Sequence, residues 1–235
     1  MTHLSPGCQM HVLVRPSAHL AESVVLGAFV IVEADVTIRA NCVLAEHSIV
    51  RNGCELDEGV EVDAFVVLGG RPQTRHLSGS CGRVRIGKRT VLREGVTVHR
   101  PTRDEGFTTV GDDCLLMAHS HVGHDCSVGN GVTIANNVML AGHVEVGDGV
   151  FIGGGAGIHQ FVRIGRNAMI GGNASVSYDV PPFSLVAERN EIRGLNLIGM
   201  RRQRLPPAST KDLKECFRAV FSRKQRRFSR PRVRV

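Results

Sequence analysis

Between Val14 and Val176 every sixth residue is aliphatic at 25 of 28 positions, and this period constrains the fold more tightly than any motif. The series runs Val14, Leu20, Leu26, Val32, Ile38 and onward. It breaks at Thr74 and Ser80, resumes in phase at Ile86, breaks again at Asp104 and continues from Val110 to Val176. A six-residue step fits neither the period of about 3.6 residues of an amphipathic helix nor the alternation of a half-buried strand. Hexads are the mark of a parallel β-helix, in which each supplies a short strand and a corner and three close a coil of about 18 residues. Stacked coils satisfy one another's backbone groups, and their inward aliphatics form a column that no single coil could bury. The expectation is an all-β solenoid, a parallel β-helix of hexapeptide repeats.

The residue two before each aliphatic site is small or β-branched (Val24, Val30, Val36, Cys42, Ser48), as a narrow prism requires. The residue after it is often Gly (Gly27, Gly111, Gly123, Gly147, Gly153), expected to serve corners with unusual φ. The chain has 27 Gly, no Trp and one Tyr, which suits slender coils rather than a bulky aromatic core. Of the seven cysteines, Cys42, Cys54, Cys114 and Cys126 take the small inward slot, and no CxxC pair suggests zinc. Neither a secretory start nor an apolar run of about 20 residues is present, so a cytoplasmic protein without stable membrane insertion is expected.

Residues 1–183 are assigned to the β-helix. Two excursions interrupt it, a loop at about 71–82 (RPQTRHLSGSCG) and a shorter one at roughly 100–108 (RPTRDEGFT). Tyr178–Pro182 (YDVPP) is expected to end the coil stack, because consecutive prolines supply no ladder N–H groups. A short helical region at 184–222 follows: an Arg-rich helix over 190–203, then one capped by Ser209 or Thr210 with a stripe of Leu213, Cys216, Phe217, Val220 and Phe221. The tail 223–235 carries seven basic residues and no acid. Without it, 22 basic residues face 22 acidic ones, so the whole net charge of +7 sits there. It reads as a solvated, disordered end, and nucleic acid is not an expected partner.

Eleven histidines are unevenly placed. His124, His143 and His159 recur at nearly one-coil steps, which predicts a shared edge. His124-Asp125 sets an imidazole beside a carboxylate, a pairing that fixes a tautomer and suits proton abstraction. Ala141-Gly142-His143 offers the Gly142 N–H as an oxyanion donor, and His159-Gln160 adds a donor pair. No Ser/His/Asp arrangement is evident, and the cysteines point inward. Direct attack assisted by a general base is favoured over a covalent intermediate.

The words HDCSVGN (124–130), LAGHVEVGDG (140–149), GIHQF (157–161), DVPPF (179–183) and RGLNLIGMRR (193–202) closely resemble the acyl-ACP:UDP-N-acetylglucosamine O-acyltransferases, which begin lipid A synthesis. The resemblance spans roughly residues 10–222. It implies a left-handed β-helix in a cytoplasmic bacterial homotrimer, with active sites between subunits and no cofactor or metal. The implied reaction moves a 3-hydroxyacyl chain from acyl carrier protein to the sugar 3-hydroxyl. His124 would be the general base, Asp125 its orienting partner and Gly142 the oxyanion donor. His121, His143, His159 and Gln160 would line the substrate groove, Gly172 would admit a long acyl chain, and Asn196 and Arg202 would hold the nucleotide.

The family's loop motif Gln-Asp-x-Lys stands here as Gln73-Thr74-Arg75-His76, and Ile198 replaces an acidic residue near the nucleotide asparagine. These departures keep open a non-catalytic relative or one acylating a 3-amino sugar. A γ-type carbonic anhydrase, with His119 and His124 as zinc ligands, is the other alternative. Arg83, Arg85, Lys88, Arg89 and Arg93 are a candidate surface for the acidic carrier protein.

Overall fold

A computed structural model describes residues 11–75, 79 and 81–221. The tail at 223–235 and His76 lie outside the described residues. Within them the chain winds as a left-handed β-helix of triangular section. Nine strands form a first face, eight a second and ten a third, and successive strands in each face pair in parallel, save the last strand of the third. Leu13 pairs with Ile31 and Ile31 with Ile49, one 18-residue coil apart. The excursions lengthen two coils by whole hexads: Val67 pairs with Thr97 and Thr97 with His121, steps of 30 and 24 residues. The hydrophobic phase survives both insertions for that reason.

Each hexad sends two side chains inward, the aliphatic residue and the small one before it. Val24, Val30, Val36, Cys42 and Cys54 are fully buried, as are Leu44, Leu56, Leu68 and Leu116. Two polar members of the small slot bond to the corner backbone, Ser48 Oγ to Ala45 O and Thr90 Oγ1 to Gly111 O, at 2.8 and 2.7 Å. Burial pushes the thiols of Cys54 and Cys126 up to about 12, so both behave as inert apolar groups.

The glycines after the aliphatic sites serve a different purpose from the one expected. None of Gly27, Gly147 and Gly153 has a left-handed φ. A Cβ on Gly27 would instead lie 2.8 Å from Glu46 N, and one on Gly147 2.6 Å from Arg166 N. Close approach of the next coil's backbone excludes a side chain. The left-handed residue comes two positions later. It is glycine at Gly53, Gly59, Gly95, Gly131, Gly149 and Gly155 but another residue at most corners, and Phe29, His47, Phe65, Asp125, His143 and Phe161 all have φ near 60°.

The prolines do not end the stack at once. Val180 bridges to Ile164, and Ser184–Ala187 still pairs in parallel with Met169–Ile170. Glu191–Leu195 then turns antiparallel onto Ser184–Ala187 and occupies that ladder edge. The helix expected over 190–203 is therefore a strand followed by a short helix, α1 (Leu197–Arg202). Ile192, buried under the last coil, draws the first half into the sheet. The second helix, α2 (Pro207–Val220), begins before Ser209 and Thr210, with Pro207 in the first turn where its missing N–H costs nothing. Only part of its apolar stripe is covered: Phe217 and Phe221 pack on the core, while Cys216 and Val220 stay exposed.

Candidate active site

The edge between the first and second faces gathers the chemistry. Three consecutive coils present Gly123-His124-Asp125, Ala141-Gly142-His143 and His159-Gln160-Phe161 there. Stacking runs at 18 residues, so the histidine steps of 19 and 16 place His124, His143 and His159 in three different columns. His124 stands over Gly142, and His143 stacks on Phe161 with ring centroids 4.5 Å apart and planes 7° apart. His159 is exposed, its Nδ1 lying 3.2 Å from Gln160 O. The three share an edge but not a column.

His124 is buried, and its Nδ1 lies 2.8 Å from Asp125 Oδ2. The left-handed backbone of Asp125 turns its carboxylate back onto its own neighbour, a conformation Asp tolerates better than most residues. Thr102 donates to the same Oδ2 twice, from its backbone N at 3.1 Å and its Oγ1 at 3.0 Å. Thr108 Oγ1 accepts from the Asp125 N–H at 2.9 Å. Burial pushes the Asp125 carboxyl up, but the bonds from His124 and Thr102, with His143 nearby, outweigh it and hold the group below the ordinary carboxylate range. An ionised Asp125 takes the Nδ1 proton of His124 as its hydrogen bond, which leaves the Nε2 lone pair free to receive a proton.

His143 meets His124 edge-on with centroids 5.0 Å apart, and its Nε2 is 3.8 Å from Asp125 Oδ2. Burial lowers its pKa; Asp125 opposes that, and His124 and Arg103 add to it. His121 lies on the preceding strand with Nδ1 2.8 Å from Thr97 Oγ1, and burial followed by the nearby His124 lowers its pKa as well.

Gly142 is required by contact. A Cβ there would lie 2.4 Å from His124 Cε1 and 2.5 Å from its Nε2. Its N–H has no acceptor among the described residues. One buried imidazole, one fixed carboxylate and one free backbone donor thus meet within two coils. A cleft of about 700 Å³ opens beside them, lined by Arg103, Glu105, Phe107, Asp125, His143, Glu145 and Phe161.

The remaining expected residues lie elsewhere on this protomer. Asn196 caps α1, accepting from Gly199 N at 2.9 Å and donating to Asn167 O at 3.0 Å, at the edge between the second and third faces. Arg202 is exposed in the last turn of α1. Gly172 sits at the third edge, where a Cβ would meet only Gly154 O at 3.3 Å. Gln73 is exposed in the first excursion.

His119 is on that third edge too, packed over Gly95, so the zinc pair His119 and His124 is not assembled. His124, Asp125 and His143 do place ligand atoms within 4.8 Å of one another, close enough to hold a cation. The basic surface is largely neutralised: Arg83 pairs with Asp35 and Glu55, Arg85 with Glu55, Arg89 with Asp113 and Arg93 with Asp63. Thr102, Thr108, Arg103 and Phe161 were not anticipated. Phe161 was legible from the 18-residue step and Thr108 from its place two before Val110, whereas Thr102 was hidden inside the second excursion.

The chain is similar to known proteins along most of its length. Residues 179–231 match the family model for UDP N-acetylglucosamine O-acyltransferase, domain 2, and residues 107–142 and 143–177 match the bacterial transferase hexapeptide model. An acyl-[acyl-carrier-protein]–UDP-N-acetylglucosamine O-acyltransferase from Rhizobium johnstonii is 38% identical over 225 residues, 94% of this chain and 83% of the relative. The Paraburkholderia xenovorans protein of the same name is 39% identical over 211 residues, covering 89% and 80%. Among solved structures, the UDP-N-acetylglucosamine O-acyltransferase of Moraxella catarrhalis superposes with a TM-score of 0.88 at 35% identity, covering 93% of this chain and 84% of that one. The UDP-N-acetylglucosamine acyltransferase of Bacteroides fragilis gives 0.87 at 30%, covering 90% and 83%.

Proposed function

This chain belongs to the UDP-N-acetylglucosamine O-acyltransferase family, and on that premise we propose that it moves a 3-hydroxyacyl chain from acyl carrier protein to the 3-hydroxyl of UDP-N-acetylglucosamine, the first step of lipid A biosynthesis. The observation that carries the reading is the hydrogen-bonded His124–Asp125 pair, with the His124 ring over Gly142, whose N–H has no acceptor among the described residues. His124 Nε2 takes the proton of the sugar hydroxyl as its oxygen attacks the thioester carbonyl carbon. Asp125 stabilises the imidazolium that forms. The Gly142 N–H donates to the tetrahedral oxyanion. Collapse re-forms the carbonyl and breaks the C–S bond, and the proton on His124 passes to the departing thiolate. The product ester and the free carrier thiol balance the reaction, and no cysteine takes part.

We infer that the working form is a homotrimer. Five of the nine outward residues of the first face are apolar (Leu13, Ile31, Ile49, Val67, Met139), the others being Thr97, His121, Gly157 and Ser175; the third face is mostly apolar (Val25, Val43, Val91, Leu115, Phe151), with Glu61 and Thr133 among them. The second face carries Thr37, Glu55, Arg85, Glu145 and Arg163. Between the two apolar faces runs an exposed edge of stacked rings, His11, Phe29, His47 and Phe65, with centroids 4.8–5.1 Å apart. A head-to-tail ring, first face against third, buries both faces and this edge and closes on itself. It also brings the His124 edge of one copy to the edge of the next that bears Asn196 and Arg202.

Product masses from UDP-N-acetylglucosamine and a panel of acyl-carrier thioesters test the reaction. Mixed assembly tests the ring: inactive His124→Ala chains reassembled with Arg202→Ala chains regain turnover at interfaces that are intact on both sides. No acyl-sugar product from any thioester, or no recovery on mixing, would overturn the respective reading.

A further inference from the structure

Three of the five buried side-chain atoms left without a hydrogen-bond partner among the described residues lie together: Arg51 Nε, His99 Nδ1 and Arg100 Nε. Arg51 follows the strand Ile49–Val50, and two coils later His99 ends the strand Thr97–His99 and Arg100 follows it, all on the same edge as His124. The coil between them carries Gly69 and Gly70. A Cβ on Gly69 would fall 3.2 Å from Arg51 Cβ and 2.5 Å from Cys54 Sγ, and one on Gly70 would fall 2.8 Å from His99 Cδ2. Arg100 N donates to Gly70 O at 2.8 Å, and Arg100 Cδ lies 3.9 Å from the Cβ position of Gly53. Two guanidinium groups and an imidazole therefore fold over a floor with no side chains of its own.

Charge sharpens the point. Arg83, Arg85, Arg89, Arg93 and Arg163 all have carboxylate partners, whereas Arg51 and Arg100 have none among the described residues. The nearby Glu33 spends Oε2 on the Asn52 N–H. Burial lowers the His99 pKa to about 4, and the positive charges of His121, His124 and Arg51 add to it. Buried donors without acceptors in a native fold call for a missing water or ion, and clustered donors on cationic groups select an anion.

We propose that Arg51, His99 and Arg100 form a phosphate-binding subsite beside the catalytic edge. It lies one to three coils from His124, roughly 5–14 Å at about 4.8 Å per coil. That span reaches a phosphate on either substrate, the sugar nucleotide's diphosphate or the phosphodiester of the carrier's pantetheine arm. The inference rests on the acyltransferase reading only for which molecule carries the phosphate.

Calorimetry on the full-length oligomer tests it, with 4′-phosphopantetheine, pantetheine, UDP-N-acetylglucosamine and inorganic pyrophosphate as probes. Arg51→Gln and Arg100→Gln should each weaken one phosphorylated ligand by about tenfold or more while pantetheine is unaffected. Pyrophosphate should compete with that ligand, and its identity assigns the source. Arg51→Lys, which keeps the charge without the fork, should fall between. Unchanged affinity for both phosphorylated ligands sinks the subsite. So does dissociation of the oligomer in the variants, which would mean that the arginines answer carboxylates of a neighbouring copy. Turnover by the wild-type sample separates the two readings: phosphate dependence without acyl transfer keeps the subsite and ends the acyltransferase assignment, and the converse result does the opposite.

Discussion

Adding a single methyl group at Gly142 should disable the base without harming the fold. The new Cβ would stand 2.4 Å from His124 Cε1, and ordinary contact begins at 3.4 Å, so the ring must retreat by about 1 Å. Gly142 does not use a left-handed φ, so alanine fits the backbone and the clash falls on the imidazole. A retreat of that size stretches the 2.8 Å bond to Asp125 beyond hydrogen-bonding range. Misplacing a reacting group by about 1 Å costs on the order of 100-fold, close to 2.7 kcal/mol of barrier. Steady-state kinetics on Gly142→Ala should therefore show kcat down about 100-fold, KM changed less than about threefold and a melting temperature within about 2 °C of normal. A kcat above roughly a third of normal would mean that the ring does not stand over Gly142 during turnover. A collapse in melting temperature would place the strain in the backbone instead.

Thr102→Val removes the 3.0 Å hydroxyl bond to Asp125 and keeps the backbone one. With fewer competing donors the carboxylate stabilises the imidazolium more, so the acid limb of kcat/KM should move to higher pH and kcat should fall several-fold at unchanged KM. Thr102→Ser should restore both, and a valine variant with a normal pH profile would remove Thr102 from the positioning network. His99 bears on stability. Its folded pKa of about 4 lies below the ordinary 6.5, so the unfolded chain binds more protons between those values and stability is lost as pH falls through that window. Urea midpoints at pH 7, 5.5 and 4 should fall more steeply for the wild type than for His99→Gln, and parallel slopes would refute the assignment.

The coil architecture was legible because the hexad period is a property of the chain alone, and insertions of whole hexads preserved it. The dyad was legible because His124 and Asp125 are adjacent. Their environment was not. Thr102 reaches Asp125 from 23 residues away through a looped segment whose sequence shows no period. The steps of 19 and 16 gave the shared edge but not the columns, so the stack of His143 on Phe161, one 18-residue step apart, was not drawn. The corner glycines were credited with unusual torsions when the next coil's backbone is the cause, a contact visible only once register is known. At the carboxyl end, arginine-rich composition suggested helix over 190–195. Pairing with Ser184–Ala187 and burial of Ile192 gave strand, tertiary contacts overriding local propensity.

Single-turnover acyl transfer by His124→Ala addresses the heart of the mechanism, because among the described residues no other side chain at this edge combines burial, a fixed tautomer and a free ring nitrogen. A drop of about 10²–10⁴-fold, with oligomer mass and melting temperature unchanged, is the predicted result. Transfer at a near-normal rate in that variant would contradict it.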